Sequence, residues 1–135
     1  MKPVIQRDRT GCAIASVAAL THQSYPAVKK AATELGIAVA DPRLWSTTAP
    51  MRRLLDHYGL ANTNPRKFAS WALLPTRALL AIKWHEESTG AAWHWVVFAR
   101  DATGSYVLDS KKSLRSHRRT DFGRIKPKWF IHLPE

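Results

Sequence analysis

The sequence predicts an α+β domain with helices first, sheet second, and the helices packed on one side of an antiparallel sheet. Three observations carry this. Up to Gly59, apolar residues recur at helical spacing between capping residues and glycines. After Pro75 they gather in short runs rich in Val, Ile, Trp and Phe. The connection from Asp101 to Gly104 is too short for a crossover helix, so the strands it joins form a hairpin and the pattern is not an alternating βαβ one. With 135 residues the chain has the length of one domain, assigned to residues 1–135.

The first helix is expected from Cys12 to Leu20, an Ala-rich stretch without charge that suits burial on most sides, with Thr10 as its cap. A second starts after Ser24 with Pro26 in its first turn, runs through Val28, Ala31, Ala32 and Leu35, and stops at Gly36. Lys29, Lys30 and Glu34 face water in this reading. A third is capped among Ser46, Thr47 and Thr48, carries Pro50 in its first turn, shows Met51, Leu54, Leu55 and Tyr58 on one face, and ends at Gly59. A short fourth is expected over Phe68 to Leu74. Strands follow at Ala78 to Trp84, Trp93 to Ala99, Tyr106 to Leu108 and Trp129 to Leu133, with His85, Glu86 and Glu87 in a polar loop.

Composition excludes several classes. Apolar residues make up 45% and charged residues 23%, a balance that excludes whole-chain disorder. The one cysteine, Cys12, cannot form an intramolecular disulfide and suits a reducing compartment. The segment from Met1 to Arg9 is too polar for a secretory signal, and no apolar run is long enough to span a membrane. A soluble cytoplasmic protein is the expectation. The formal charge of +11 draws attention to nucleic acid or acidic partners.

The residues that suggest chemistry lie far apart in the sequence. Cys12 stands at the first turn of a helix, where unpaired N–H groups and the positive dipole end favour a thiolate. The bland alternative is a small buried hydrophobe. His94 lies within Ala92-Trp-His-Trp-Val-Val-Phe98, so its ring points to the face opposite Trp93 and Trp95 and needs a polar partner there. Asp101 is roughly 23 Å further along the same strand and cannot reach it. A hairpin turning near Ala102 brings Asp109 beside residues 94–96, on the same face as His94 at even offsets. Such a pair forms the base and orienting acid of a nucleophilic triad.

These residues resemble the papain-like cysteine peptidases of the bacteriocin-processing, C39-like family. Its pattern places a Gln six positions before a helix-opening Cys, a His at the start of a His-aromatic-Val-Val strand, and an Asp after the next strand. Here these read Gln6-Arg-Asp-Arg-Thr-Gly-Cys12, His94-Trp-Val-Val97 and Tyr106-Val-Leu-Asp109. The resemblance implies a papain-like fold over nearly the whole chain, catalytic Cys12, His94 and Asp109, and an oxyanion hole from the Gln6 amide and the Cys12 N–H. It implies acyl transfer on a peptide or protein substrate, as a peptidase, a deamidase or amidase, or a transferase. The chain departs from the family in Gly11-Cys12-Ala13, where Asp-Cys-Gly is common, and in Asp109-Ser110, where Asp-Pro is frequent. No transporter is expected to follow the domain, so the leader-cutting role of many relatives is not carried over.

Two non-enzymatic alternatives stand beside this. The basic stretch from Lys111 to Lys128 could contact phosphate backbones while some of the six Trp stack on bases. Against that, basic runs are more often a solvated face or a site for an acidic partner, and most of these Trp lie in core-like contexts. The other is a peptide-binding module that keeps the frame without activity. No cofactor and no metal is assigned: His85, Glu86 and Glu87 match no zinc spacing, and His22, His57, His117 and His132 form no ligand set.

Overall fold

A computed structural model describes residues 1–88 and 90–134. The chain is a small α+β protein with three helices, α1 (Cys12–Thr21), α2 (Tyr25–Glu34) and α3 (Ala49–His57). Six strands follow: β1 (Arg66–Lys67), β2 (Arg77–Glu87), β3 (Gly90–Asp101), β4 (Gly104–Leu108), β5 (Arg118–Arg119) and β6 (Trp129–His132). They form one sheet in the order β1-β6-β2-β3-β4-β5, each neighbour antiparallel.

Helix α1 is buried from Cys12 through Leu20. Its two hydroxyls bond back to the helix: the buried Ser16 Oγ donates to the Cys12 carbonyl and the half-buried Thr21 Oγ1 to the Val17 carbonyl. Its cap differs from expectation. Gly11 holds the N-cap position without a side-chain bond, and Thr10 Oγ1 instead donates to the distant Val39 carbonyl at 2.9 Å. Helix α2 starts on Ser24, whose Oγ accepts from the Ala27 N–H, and unwinds through Gly36 at φ 78°. Lys29 does not simply face water; its Nζ reaches Asp8 at 3.1 Å.

The predicted fourth helix is absent: Phe68 to Leu74 is a turn. Its Trp71 and Leu74 carbonyls accept from the Arg100 guanidinium, at 3.0 and 2.9 Å, so the segment needs no helical ladder. Nor are His85, Glu86 and Glu87 a loop. β2 passes a bulge between Ile82 and His85, where Lys83 adopts φ 54°, and continues pairing with β3 as far as Glu87 and Gly90. The two-residue strands β1 and β5 were not foreseen, being too short to carry a periodicity.

Alternation along the strands divides the core. Leu79, Ala81, Trp93, Trp95, Val97, Leu108 and Ile131 face the helices, where Trp93, Trp95 and Trp129 meet edge to face with centroids 4.6 to 5.7 Å apart. Leu80, Ile82, Val96, Phe98 and Val107 face the other way, under Trp71, Leu74, Phe122 and Ile125 from turns. Among the described residues no helix is long and apolar enough to cross a membrane.

Candidate active site

Unequal strand lengths make the site. β4 pairs with β3 only from Val97 to Asp101 and ends at Leu108, whereas β3 starts at Gly90. The flank of β3 before Val97 is therefore free of β4, and the chain entering α1 approaches it. The Gln6 N–H donates to the Ser110 carbonyl at 3.0 Å, tying this segment to the chain just past β4.

Asp109 is the first residue beyond β4. Extending the Val97–Leu108 pairing by one step sets it across from Val96, diagonal to His94 on the same face. His94 Nε2 and Asp109 Oδ1 lie 2.8 Å apart, with the carboxylate fully buried and the imidazole mostly so. Because Nε2 is taken, Nδ1 is the nitrogen left for the Cys12 thiol. Burial opposes a charge on His94, but the hydrogen bonds to Asp109 and Cys12, and the charges of both, outweigh it and raise the imidazole to about 9. Burial also opposes the Asp109 charge, and the bonds and charge of His94, with those of the Lys111 N–H and Arg119, bring that carboxyl down to about 2.

Cys12 and His94 line one cleft of about 300 Å³ together with Arg9, Thr10, Trp45 and Trp93. A larger hollow of about 550 Å³ near Met1, Ala18 and His22 contains no nucleophile, so the chemistry selects the smaller one. Cys12 occupies the first position of α1. With Gly11 offering no side-chain cap, the N–H groups of that first turn stay available to an anion at the sulfur or beside it.

Gln6 is near but not in the cleft. Its Nε2 donates to the Asp8 and Arg9 carbonyls at 3.1 and 2.8 Å, and its Oε1 accepts from Ser110 Oγ at 2.8 Å. All of its amide polarity is spent holding the loop that presents Cys12. To serve as an oxyanion donor, one Nε2 bond has to be exchanged. The structure thus holds the Gln6 amide on backbone carbonyls of the loop before α1.

Several residues that hold the site escaped the sequence reading. Arg119, one of many cations in the basic stretch, donates from Nη1 to Asp109 Oδ2 at 3.0 Å and grips Asp121 through Nε and Nη2 at 2.9 and 2.8 Å. The His117 carbonyl accepts from the Asp109 N–H, and its Nδ1 meets the Asp109 carbonyl, both at 2.8 Å. A buried carboxylate demands such partners, but nothing in the basic run marks which member supplies them. Further along, Arg118 lies over Tyr106 and Lys128 over Trp84, so much of the stretch is spent on the fold. In the segment before α1, Tyr25 OH donates to Asp8 Oδ2 at 2.6 Å. A Cβ on Gly11 would stand 2.0 Å from that hydroxyl.

Among the described residues no group of three or more His, Cys, Asp or Glu is placed to hold a metal ion. None of the six Trp is exposed; Trp45, Trp71, Trp84 and Trp129 are half-buried. No protein-family model, curated protein or solved structure matches the chain. The arrangement sets a helix-borne thiol in one cleft with an imidazole that a buried carboxylate holds.

Proposed function

We propose that this chain is a papain-like thiol hydrolase that cleaves a peptide or amide bond, in keeping with its resemblance to the bacteriocin-processing peptidases. One observation carries the reading. Cys12 at the start of α1 shares a cleft with His94, whose far nitrogen is held by Asp109 at 2.8 Å. In this mechanism the Cys12 sulfur attacks the substrate carbonyl carbon as its proton resides on His94. The oxyanion draws on the Cys12 N–H at the unfilled helix start. As the C–N bond breaks, the imidazolium returns its proton to the departing nitrogen, and water, deprotonated by His94, then releases the acyl group from sulfur. Asp109 keeps the ring oriented and in the tautomer that leaves Nδ1 towards the thiol. The same steps serve a deamidase, or a transferase if an amine replaces water.

The test uses the single cysteine as its own reporter. The rate of alkylation by iodoacetamide at about pH 6, where an ordinary thiol is mostly protonated, should exceed that of free cysteine at least tenfold and fall by a similar factor in His94→Ala. Hydrolysis of a peptide library followed by mass spectrometry should disappear in Cys12→Ala. A wild-type protein that alkylates no faster than free cysteine, or cleavage that persists without Cys12, would defeat the reading.

A further inference from the structure

Around the cleft, the charges without partners are positive. Arg9 lines it beside Cys12 and His94, and its guanidinium enters no ion pair among the described residues. The adjacent Asp8 cannot neutralise it, because that carboxylate is held by Tyr25 OH and Lys29 Nζ. Behind His94 the situation repeats. Lys83 follows Ile82, the residue paired with His94, and stands at the β2 bulge with φ 54°, a conformation unfavourable for any residue with a Cβ. Lys111 follows Asp109 closely, its N–H donating to Asp109 Oδ1 at 3.1 Å. Neither lysine forms an ion pair among the described residues.

The two lysines also face each other. The Lys83 side chain is exposed, yet partial desolvation, the nearby Lys111 with its charge, and the Arg119 charge hold its ammonium below the usual lysine range, while the Asp109 charge only partly opposes them. Asp109 has little left to offer, since Oδ1 already takes His94 and the Lys111 N–H and Oδ2 takes Arg119. Strain at a lysine and like charges held close both cost stability, and these two exposed lysines, outside the cleft lining but behind His94, add a positive field to the Arg9 cation that lines it.

We propose that the cleft accepts a substrate carrying a carboxylate close to the carbonyl under attack, with Arg9 receiving that carboxylate and the Lys83–Lys111 pair supplying an attracting field from behind His94. This rests on the reading of Cys12 as a nucleophile and adds the substrate class. The guanidinium fork suits a planar carboxylate and stays charged at any working pH.

Two alkylating reagents separate the proposal from its foundation. Iodoacetate and iodoacetamide share the reacting carbon and leaving group and differ in charge. The ratio of their rates at Cys12 is expected to exceed the ratio for free cysteine. Arg9→Gln should lower it roughly fivefold, the factor for one cation about 4 Å from an anion in water. Lys83→Gln with Lys111→Gln should lower it about twofold, through a longer and more screened distance. The Lys30→Gln change, on the exposed side of α2, should leave it unaltered. The imidazolium of His94 is common to all of these proteins and drops out of the comparison. A wild-type ratio no higher than that of free cysteine, or a ratio unmoved by Arg9→Gln in a protein with normal circular dichroism, overturns the carboxylate preference alone. Slow alkylation by both reagents removes the nucleophile reading and this proposal together.

Discussion

The two halves of β3 make opposite uses of the same alternating pattern. From Val97 to Ala99 the strand is paired on both sides and its inner residues are core, with Val97 and Phe98 fully buried on opposite faces. From Gly90 to Val96 it has β2 on one side and no β4 on the other, and there the strand edge is satisfied by irregular chain, as where the Trp93 N–H donates to the Trp45 carbonyl. His94 belongs to that second half. A reactive side chain needs one flank free of the ladder, and a neighbour that ends early provides it without weakening the rest of the sheet.

The sharpest way to break this comparison is to remove one carboxylate from each end of the β3–β4 hairpin. Asp109→Ala strips a buried charge from His94 and Arg119 and is expected to cost about 3–5 kcal/mol, a fall of roughly 10–20 °C in Tm. Asp101→Ala removes turn bonds to Thr103 at an exposed site and should cost far less. Thermal melts of the two variants decide the matter; equal losses would mean that the vacated flank is not where the buried ionic network matters.

A smaller effect tests the loop that fills the flank. Gly11→Ala drives a Cβ into the Tyr25 hydroxyl, which is buried and tied to Asp8. The expected loss is about 1–3 kcal/mol by overpacking, against about 0.5 kcal/mol or less for Gly123→Ala, where nothing lies within 4 Å. Urea denaturation of both proteins provides the measurement.

A separate test is the pH dependence of the His94–Asp109 pair. The folded pKa of His94, about 9, is above its unfolded value of about 6.5. Its contribution is therefore complete below about pH 6.5 and is lost as pH rises through 9. Asp109, at about 2, is below its unfolded value of about 3.9, so its contribution is present above about pH 4 and is lost as pH falls through 2. The difference in Tm between the wild type and His94→Gln should be widest between about pH 4 and 6.5 and shrink towards pH 9. A difference that does not vary with pH would show that His94 is not charged in the folded protein.

Much of this was legible in the sequence because it depends on local rules. Ser24 with Pro26, and Pro50 with Gly59, mark helix ends through side-chain capping and fixed dihedrals, which act within a few residues. The alternation around His94 assigns faces, and the short Asp101–Gly104 turn sets the register that carries Asp109 past Val97. The segment from Phe68 to Leu74 was misread since its carbonyls are satisfied by Arg100, a residue remote in sequence. His85 to Glu87 were misread because the bulge at Lys83 lets the strand continue where polarity suggests a stop.

The sequence by itself therefore determined the α+β order, the helix starts, the hairpin, and the pairing of His94 with Asp109, all consequences of short-range geometry and a period of two. Only the tertiary structure decided that Arg119 and not another cation of the basic stretch holds Asp109, that Gln6 spends its amide on the Asp8 and Arg9 carbonyls, and that Arg9 lines the cleft while Lys83 and Lys111 come together behind His94. Those are contacts between charged or polar groups brought together from distant parts of the chain, and one arginine or lysine in a sequence looks like the next until a buried partner selects it.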